Sequence, residues 1–193
     1  MKVAILSGTS RKGNNTVRVA KAIEQLHKTQ NHDCSVVDFR AYDLPFFNGK
    51  PIDEANPTPF QKDLLGTWGD ADLVYILSPE YNWLVSPELA NMTNHYSGKD
   101  HKYLYDNKVF AFVGVSSGIG GRLPTMQLSS VIEKLIFFLG GQSVCSPNKF
   151  ESHHTPRELG EAGEYIQDTG YSKRLQSFTA YSSSLCSRFT GAK

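Results

Sequence analysis

The sequence has few cysteines and no excess of charge of either sign. Its 193 residues contain three cysteines, Cys34, Cys145 and Cys186, which are odd in number and form no C-x-x-C pair. This spacing argues against a disulfide framework and against a cysteine zinc site. Twenty basic and nineteen acidic residues give a formal net charge of +1, without the electropositive excess of a nucleic-acid-binding protein. We therefore expect reduced thiols, no bound metal, no nucleic acid and a small-molecule partner.

Long apolar runs are also missing. No stretch approaches the roughly 18 consecutive apolar residues of a transmembrane helix, and Met1 to Leu6 leads directly into a strand pattern rather than a targeting segment. These features predict a soluble cytoplasmic protein with no membrane partner. A chain of this length can bury roughly 70% of its unfolded surface around one core, so we expect a single domain over residues 1–193.

The sequence does contain short apolar runs that alternate with helical patterns, which is typical of βαβ units and a parallel sheet. The runs are nearly continuous in apolar residues, as in strands that are buried on both faces. Five strands are predicted, at residues 3–6, 35–39, 73–77, 109–113 and 143–145. The predicted fold class is therefore α/β, with a five-stranded parallel sheet between two helical layers.

Several helix starts are marked by capping residues. Thr58-Pro59-Phe60-Gln61 predicts a capping box, Thr155-Pro156-Arg157-Glu158 repeats the pattern, and Ser86-Pro87 predicts another helix start. A broad apolar face from Leu123 to about Leu139 predicts a long helix that packs on the sheet. The tail from Gly160 is weakly apolar and rich in serine, and its element boundaries are not defined by the pattern.

The segment from Gly8 to Thr16, after the first predicted strand, combines hydroxyls, side-chain amides and one guanidinium at a helix start. Such a turn favours phosphate, although its glycine and asparagines could also serve only to turn and cap the helix. Asn14-Asn15 stand where a Walker A motif needs Lys and Ser or Thr, and no G-x-G-x-x-G pattern is present. The candidate phosphate-binding residues are Thr9, Ser10, Arg11, Asn14, Asn15 and Thr16.

Two further loops should lie at the same edge of the sheet, because the carboxyl ends of parallel strands meet there. The loop after the third strand carries Tyr81 and Trp83, which could border a flat heterocycle or simply pack on the protein. The loop after the fourth strand is rich in glycine, which either admits a ligand close to the backbone or only turns the chain. The candidate residues here are Pro79, Glu80, Tyr81, Asn82, Trp83, Ser116, Ser117, Gly118, Gly120 and Gly121.

Taken in order, these loops resemble those of the NAD(P)H-dependent FMN reductase family, which has the flavodoxin-like fold and includes chromate, quinone and azo reductases. The resemblance covers roughly residues 2 to 145. It rests on G-T-S-R-K-G-N-N-T at the first loop, P-E-Y-N at Pro79 to Asn82 and S-S-G-I-G-G-R at Ser116 to Arg122. It implies a three-layer sandwich with strand order 2-1-3-4-5, bound FMN, NAD(P)H as co-substrate and a homodimer or homotetramer.

The resemblance also implies roles for the candidate residues. The first loop would hold the FMN phosphate, Pro79 to Asn82 would border the isoalloxazine ring, and the glycine-rich loop would line its other side. Trp83 stands where the family often has a smaller residue, and Ser86-Pro87 replaces a Pro-Gly. Thr9 and Asn14 stand where serines are commoner, which preserves hydrogen bonding.

The implied activity is ping-pong hydride transfer from NAD(P)H through FMN to a small acceptor, such as free flavin, a quinone, an azo compound or chromate, with no catalytic side chain. One alternative is a flavodoxin-type electron carrier without NAD(P)H turnover, against which the near-neutral charge argues. Another is an α/β protein that binds a phosphate other than that of a flavin. His153-His154 is interpreted as a solvent-exposed pair rather than as a metal site.

Overall fold

Five strands and six α-helices alternate along residues 1–167 and 169–191, which the computed structural model describes. The strands are β1 Lys2–Ser7, β2 Asp33–Asp38, β3 Leu73–Pro79, β4 Val109–Val115 and β5 Val144–Ser152. The helices are α1 Thr16–Thr29, α2 Pro59–Asp70, α3 Pro87–His95, α4 Arg122–Leu139, α5 Thr155–Glu158 and α6 Tyr171–Thr190. Short 3₁₀ helices occupy Phe39–Ala41 and Lys99–Leu104.

The strands form one parallel sheet in the order β2-β1-β3-β4-β5, which confirms the predicted topology. Every residue of β3 and β4 is buried, as the continuous apolar runs predicted. The chain order reverses between β1 and β3. In such sheets the ligand lies outside the carboxyl ends of the strands at this reversal.

Two apolar layers cover the sheet. Helices α1 and α6 cover one face, with a buried set that includes Val19, Ile23, Leu175, Phe178 and Cys186. Helices α2, α3 and α4 cover the other face, with a buried set that includes Leu64, Trp68, Leu89, Met92, Ile132 and Ile136. The sheet is therefore the central layer of the predicted three-layer sandwich.

Strand β5 is longer than the sequence predicted. It extends to Ser152, whereas the prediction of 143–145 used only its first apolar residues. The pairing of β4 and β5 shifts register between Phe110 and Phe112, next to Pro147 and Asn148. Because β5 is an edge strand, it accepts proline, a bulge and polar residues that a central strand excludes, so its sequence lacks the continuous apolar run.

One predicted capping box is confirmed and the other is wrong. Thr58 accepts the Gln61 N–H at 3.2 Å, and the Gln61 side chain accepts the Thr58 N–H at 3.2 Å. At the second site the helix begins at Thr155 itself, after His154 in a left-handed conformation. The Thr155 hydroxyl donates instead to the Ser116 carbonyl at 2.9 Å, because β5 ends beside the loop that contains Ser116.

Most of the Ser-rich tail forms α6, whose 20 residues pack on the sheet beside α1. Small buried residues, including Ser182 and Ser183, allow this close packing without contributing to apolar periodicity. The helix is long enough to span a bilayer, but it is too polar. In the described part of the chain, no helix combines the length and the apolar character that crossing a membrane requires.

Helix α1 carries a buried histidine, His27. His27 lies 2.9 Å from the Tyr75 hydroxyl through Nε2 and 2.9 Å from His32 Nδ1 through its own Nδ1. Both ring nitrogens are therefore engaged inside the protein. Burial, with a smaller contribution from His32, lowers the pKa of His27 to about 4. The folded protein thus holds this ring neutral at pH values where an exposed histidine is protonated.

Candidate active site

The first loop runs from Gly8 to Asn15, between β1 and α1. Asn14 ties it together, because its Oδ1 accepts the Val17 N–H at 2.8 Å and its Nδ2 donates to the Arg11 carbonyl at 2.7 Å. The Asn14 amide therefore caps the helix, and both of its ends bond within the protein. Of the two roles that the sequence left open for Asn14, the structure shows capping.

The start of α1 is suited to an anion. Thr16 is the first helical residue, and its buried Oγ1 has no hydrogen-bond partner among the described residues. The first turn contains no acidic residue, and the N-cap Asn15 makes no side-chain capping bond. The positive end of the helix dipole favours phosphate at such a position. The exposed Arg11 on the same loop can add charge-assisted bonds.

A buried carboxylate on the neighbouring helix supports this loop. Glu88, in the first turn of α3, is only 9% exposed. Its Oε1 accepts the Ser10 N–H at 2.7 Å and the Ser10 hydroxyl at 2.6 Å, and the Thr9 hydroxyl lies 3.4 Å away. Its other oxygen, Oε2, is buried without a partner among the described residues. Glu88 therefore fixes the loop through Ser10 and Thr9.

Sequence reasoning missed Glu88. It lies 78 positions from Ser10, so no local motif links the two residues. Its only signal was an acidic residue two positions after the N-cap Ser86, and this placement is ordinary for a helix start.

The second loop forms a tight hairpin joined to the first. The Thr9 hydroxyl lies 2.8 Å from the Tyr81 hydroxyl. Tyr81 and Leu84 exchange two backbone hydrogen bonds of 3.1 and 3.0 Å across Asn82 and Trp83. Both central residues have positive φ, +49° and +64°, as in the type I′ turns of two-residue hairpins. Asparagine tolerates this conformation and tryptophan rarely adopts it, so the hairpin holds Trp83 in strain, with 67% of its surface exposed.

The third loop is held against the second by Glu80. The Glu80 carboxylate accepts the Gly121 N–H, and a Cβ on Gly120 would collide with it. Gly121 has a φ of +106°, and a Cβ there would come within 2.8 Å of the Gly114 carbonyl oxygen. His153 Nδ1 accepts the Gly120 N–H at 3.1 Å. The expectation of a solvent-exposed pair is therefore wrong, because His153 and His154 are both half-buried beside this loop.

The three loops enclose one cleft of about 180 Å³ at the carboxyl edge of the sheet. Each loop contributes to its lining, which comprises Arg11, Gly13, Asn14, Asn15, Thr16, Pro79, Glu80, Tyr81, Val115, Ser116 and Ser117. The other predicted residues lie on the same loops but outside this lining: Thr9, Ser10, Asn82, Trp83, Gly118, Gly120 and Gly121. The structure thus brings the three predicted segments together, and their individual roles toward a ligand stay predictions.

A family model described as NADPH-dependent FMN reductase matches residues 1–149, which include all three loops. The chain belongs to this family. Membership makes FMN the cofactor and NAD(P)H the co-substrate. The Thr16 hydroxyl at the start of α1 has no partner in the described part of the chain and is suited to bind the FMN phosphate. The second and third loops, which Glu80 joins, are suited to border a flat ring with their backbone.

Solved structures with the same fold include a flavoenzyme oxidoreductase and a flavodoxin. FerB, an NAD(P)H:(acceptor) oxidoreductase from Paracoccus denitrificans, is 20% identical with a TM-score of 0.75 over 97% of both chains. RosB, solved with a bound riboflavin-phosphate intermediate, is 15% identical with a TM-score of 0.71 over 100% of this chain and 81% of its own. A flavodoxin from the Archaea is 13% identical with a TM-score of 0.59, over 96% and 99%. At these identities the likeness establishes the flavodoxin-like fold.

Proposed function

We propose that this member of the NADPH-dependent FMN reductase family is an NAD(P)H oxidoreductase that reduces a small acceptor by a ping-pong scheme. The acceptor class comprises free flavin, quinones, azo compounds and chromate. The observation that carries the proposal is the cleft at the strand reversal. It joins an anion-binding helix start, with the unpartnered Thr16 hydroxyl, to two loops that suit a flat ring.

The contacts of the first loop separate the residues that would bind the phosphate from those that shape the loop. Arg11, Asn15 and Thr16 line the cleft and would bind the FMN phosphate. Thr9 and Ser10 bond to Tyr81 and Glu88, and the Asn14 amide bonds to backbone, so we assign these three residues to shaping the loop. Pro79 to Asn82 would border one side of the ring. Ser117, Gly118, Gly120 and Gly121 would line the other.

When bound, FMN supplies the redox chemistry, accepting hydride from NAD(P)H and delivering electrons to the second substrate. The protein binds and orients the reactants and limits their contact with water. Glu80 keeps the second and third loops at a fixed separation through the Gly121 N–H. No side chain of the cleft is required as a general acid or base, so we propose no catalytic residue.

Steady-state kinetics with varied NAD(P)H and a quinone test this scheme. We expect parallel double-reciprocal lines, because the two substrates use the same site in turn. Intersecting lines would contradict the ping-pong order. The likeness to a flavodoxin makes an electron carrier the competing function. Anaerobic addition of NAD(P)H to the FMN-loaded protein separates the two functions, because a carrier would keep its flavin oxidised.

We further propose a homodimer in the cytoplasm. Helix α4 leaves Met126, Val131, Phe137 and Phe138 substantially exposed, and an apolar groove of about 290 Å³ lies between α3 and α4. Exposed apolar patches of this kind are typical of association surfaces. The cytoplasmic assignment is supported by the free state of all three cysteines.

A further inference from the structure

A second and larger cleft lies at the edge of the sheet, between β5 and α6. It encloses about 490 Å³, which is within the usual range for small-molecule sites. Its polar lining includes Lys149, Glu151, His153, Lys173 and Arg174. Phe150 and Phe178 contribute two buried rings, with centroids 5.5 Å apart. The cleft therefore combines a basic wall with an apolar base formed by these two buried rings.

The positive charge of this cleft is not compensated within the protein. Among the described residues, no carboxylate lies within ion-pair distance of Lys149, Lys173 or Arg174. The acidic residue of the cleft, Glu151, is engaged by Arg122 at 3.4 Å and lies 3.7 Å from His153. An anion entering the cleft would meet three cations whose charges are still available.

Two of these cations lie where they lower the stability of the helix that carries them. Lys173 and Arg174 lie in the first turn of α6, which contains no acidic residue. Cations at this end of a helix oppose its dipole, whereas an external anion would be stabilised by both the dipole and the side chains. The local sequence is thus unfavourable for an isolated helix and favourable for an anionic ligand.

This cleft is connected to the flavin-binding loops. Besides lining it, His153 accepts the Gly120 N–H, and the His154 N–H donates to the Gly118 carbonyl at 2.7 Å. The third loop and the wall of the second cleft therefore share direct hydrogen bonds. A dinucleotide whose reacting end lies at the third loop could extend its other end toward β5 and α6.

We propose that the β5–α6 cleft binds the phosphorylated adenosine of NADPH, with Lys173 and Arg174 directed to its 2′-phosphate. The volume of the cleft and its apolar base suit the adenosine, and the cations without carboxylate partners among the described residues suit the phosphate that NADH lacks. This assignment rests on the proposed function, since it takes the reductant to be a nicotinamide dinucleotide bound at the third loop. It makes the enzyme selective for NADPH over NADH.

The test is charge reversal at Lys173 with a matched control at Lys62. Both lysines are exposed, lie near the start of a helix and have no carboxylate partner among the described residues. Lys173→Glu adds an acid to the first turn of α6, which favours the helix, so we expect the variant to fold. It should raise the KM for NADPH about tenfold or more and leave the KM for NADH nearly unchanged. Lys62→Glu should change neither.

Direct binding of 2′,5′-ADP, measured by calorimetry on the FMN-loaded protein, gives an independent readout. We expect binding to the wild type and to Lys62→Glu, and its loss in Lys173→Glu. The assignment is overturned if the wild type does not bind 2′,5′-ADP. Equal KM increases for NADPH and NADH, or equal effects of both variants, would also overturn it.

The two proposals fail separately. If NADPH reduces the flavin and Lys173→Glu leaves the KM for NADPH unchanged, the reductase proposal stands and the assignment of the β5–α6 cleft is wrong. Conversely, if neither NADPH nor NADH reduces the FMN of the wild type while Lys173→Glu still abolishes 2′,5′-ADP binding, the result contradicts the reductase proposal and supports the adenosine site.

Discussion

The contact between Glu88 and the first loop gives a sharp prediction for FMN binding. Glu88 Oε1 holds both the N–H and the hydroxyl of Ser10, at 2.7 and 2.6 Å. Hydrogen bonds to a charged group contribute about 1.5–3 kcal/mol each. Because Ser10 is exposed, water can replace part of this energy in a variant. We therefore expect Glu88→Ala to lose the equivalent of about one such bond, which weakens FMN binding about ten- to hundredfold.

Glu88→Gln should behave differently. Its amide oxygen can still accept from Ser10, so the loop keeps its shape. The substitution also removes a negative charge from the loop that receives the phosphate, and like charges disfavour each other in a poorly solvated site. We expect FMN binding by Glu88→Gln to be at least as tight as that of the wild type.

The assay is a fluorescence titration of the apoprotein with FMN and with riboflavin, which lacks the phosphate. A role confined to the phosphate loop predicts that Glu88→Ala weakens FMN binding and leaves riboflavin binding nearly unchanged. Glu133→Ala is the matched control, because Glu133 accepts a serine hydroxyl at 2.8 Å on α4. Equal losses for both flavins, or no loss for FMN, would refute the reasoning.

Two other predictions concern stability. Above about pH 6.5, His27 is neutral in both the folded and the unfolded state; between this pH and about 4 only the unfolded state binds the proton, so stability falls as the pH falls. At about 1.36 kcal/mol per pKa unit, the loss of unfolding free energy approaches about 3 kcal/mol near pH 4. Urea unfolding between pH 7 and about pH 4 should therefore show an unfolding free energy that depends clearly less on pH in His27→Gln than in the wild type. A Cβ on Gly114 would overlap the Gly121 backbone, so Gly114→Ala should cost about 1–3 kcal/mol of unfolding free energy. Gly66→Ala, in an open position of α2, should instead stabilise by about 0.5–1 kcal/mol. Thermal melts of both variants check this, and equal melting temperatures would contradict the packing argument.

The central part of the fold could be predicted from sequence because its signals are local. The runs that became β3 and β4 are apolar throughout, since both faces of these strands are buried. Strand β5 and helix α6 could not be delimited. An edge strand buries few apolar side chains, and in α6 buried serines interrupt the apolar stripe. The pairing with β4 and the packing beside α1 define these two elements instead.

The same distinction applies to the site. The hydroxyls and amides of the first loop are contiguous, so the sequence predicted an anion-binding turn. The contacts that shape the site are distant in sequence. Glu88 reaches Ser10 of this turn across 78 positions, and Glu80 joins the second loop to Gly121 of the third across 41 positions. The sequence also could not show that the Asn14 amide is engaged in capping, because capping and phosphate binding require the same residue type.

The strained hairpin at the second loop has a practical consequence for spectroscopy. The protein has two tryptophans in opposite environments. Trp68 is fully buried on the inner face of α2, whereas Trp83 is 67% exposed on the second loop. A soluble quencher such as iodide should reach the indole of Trp83 and spare that of Trp68. The native chain thus carries an intrinsic fluorophore on a loop of the candidate cleft and an internal reference in its core, so quenching can test ligand binding there without labelling.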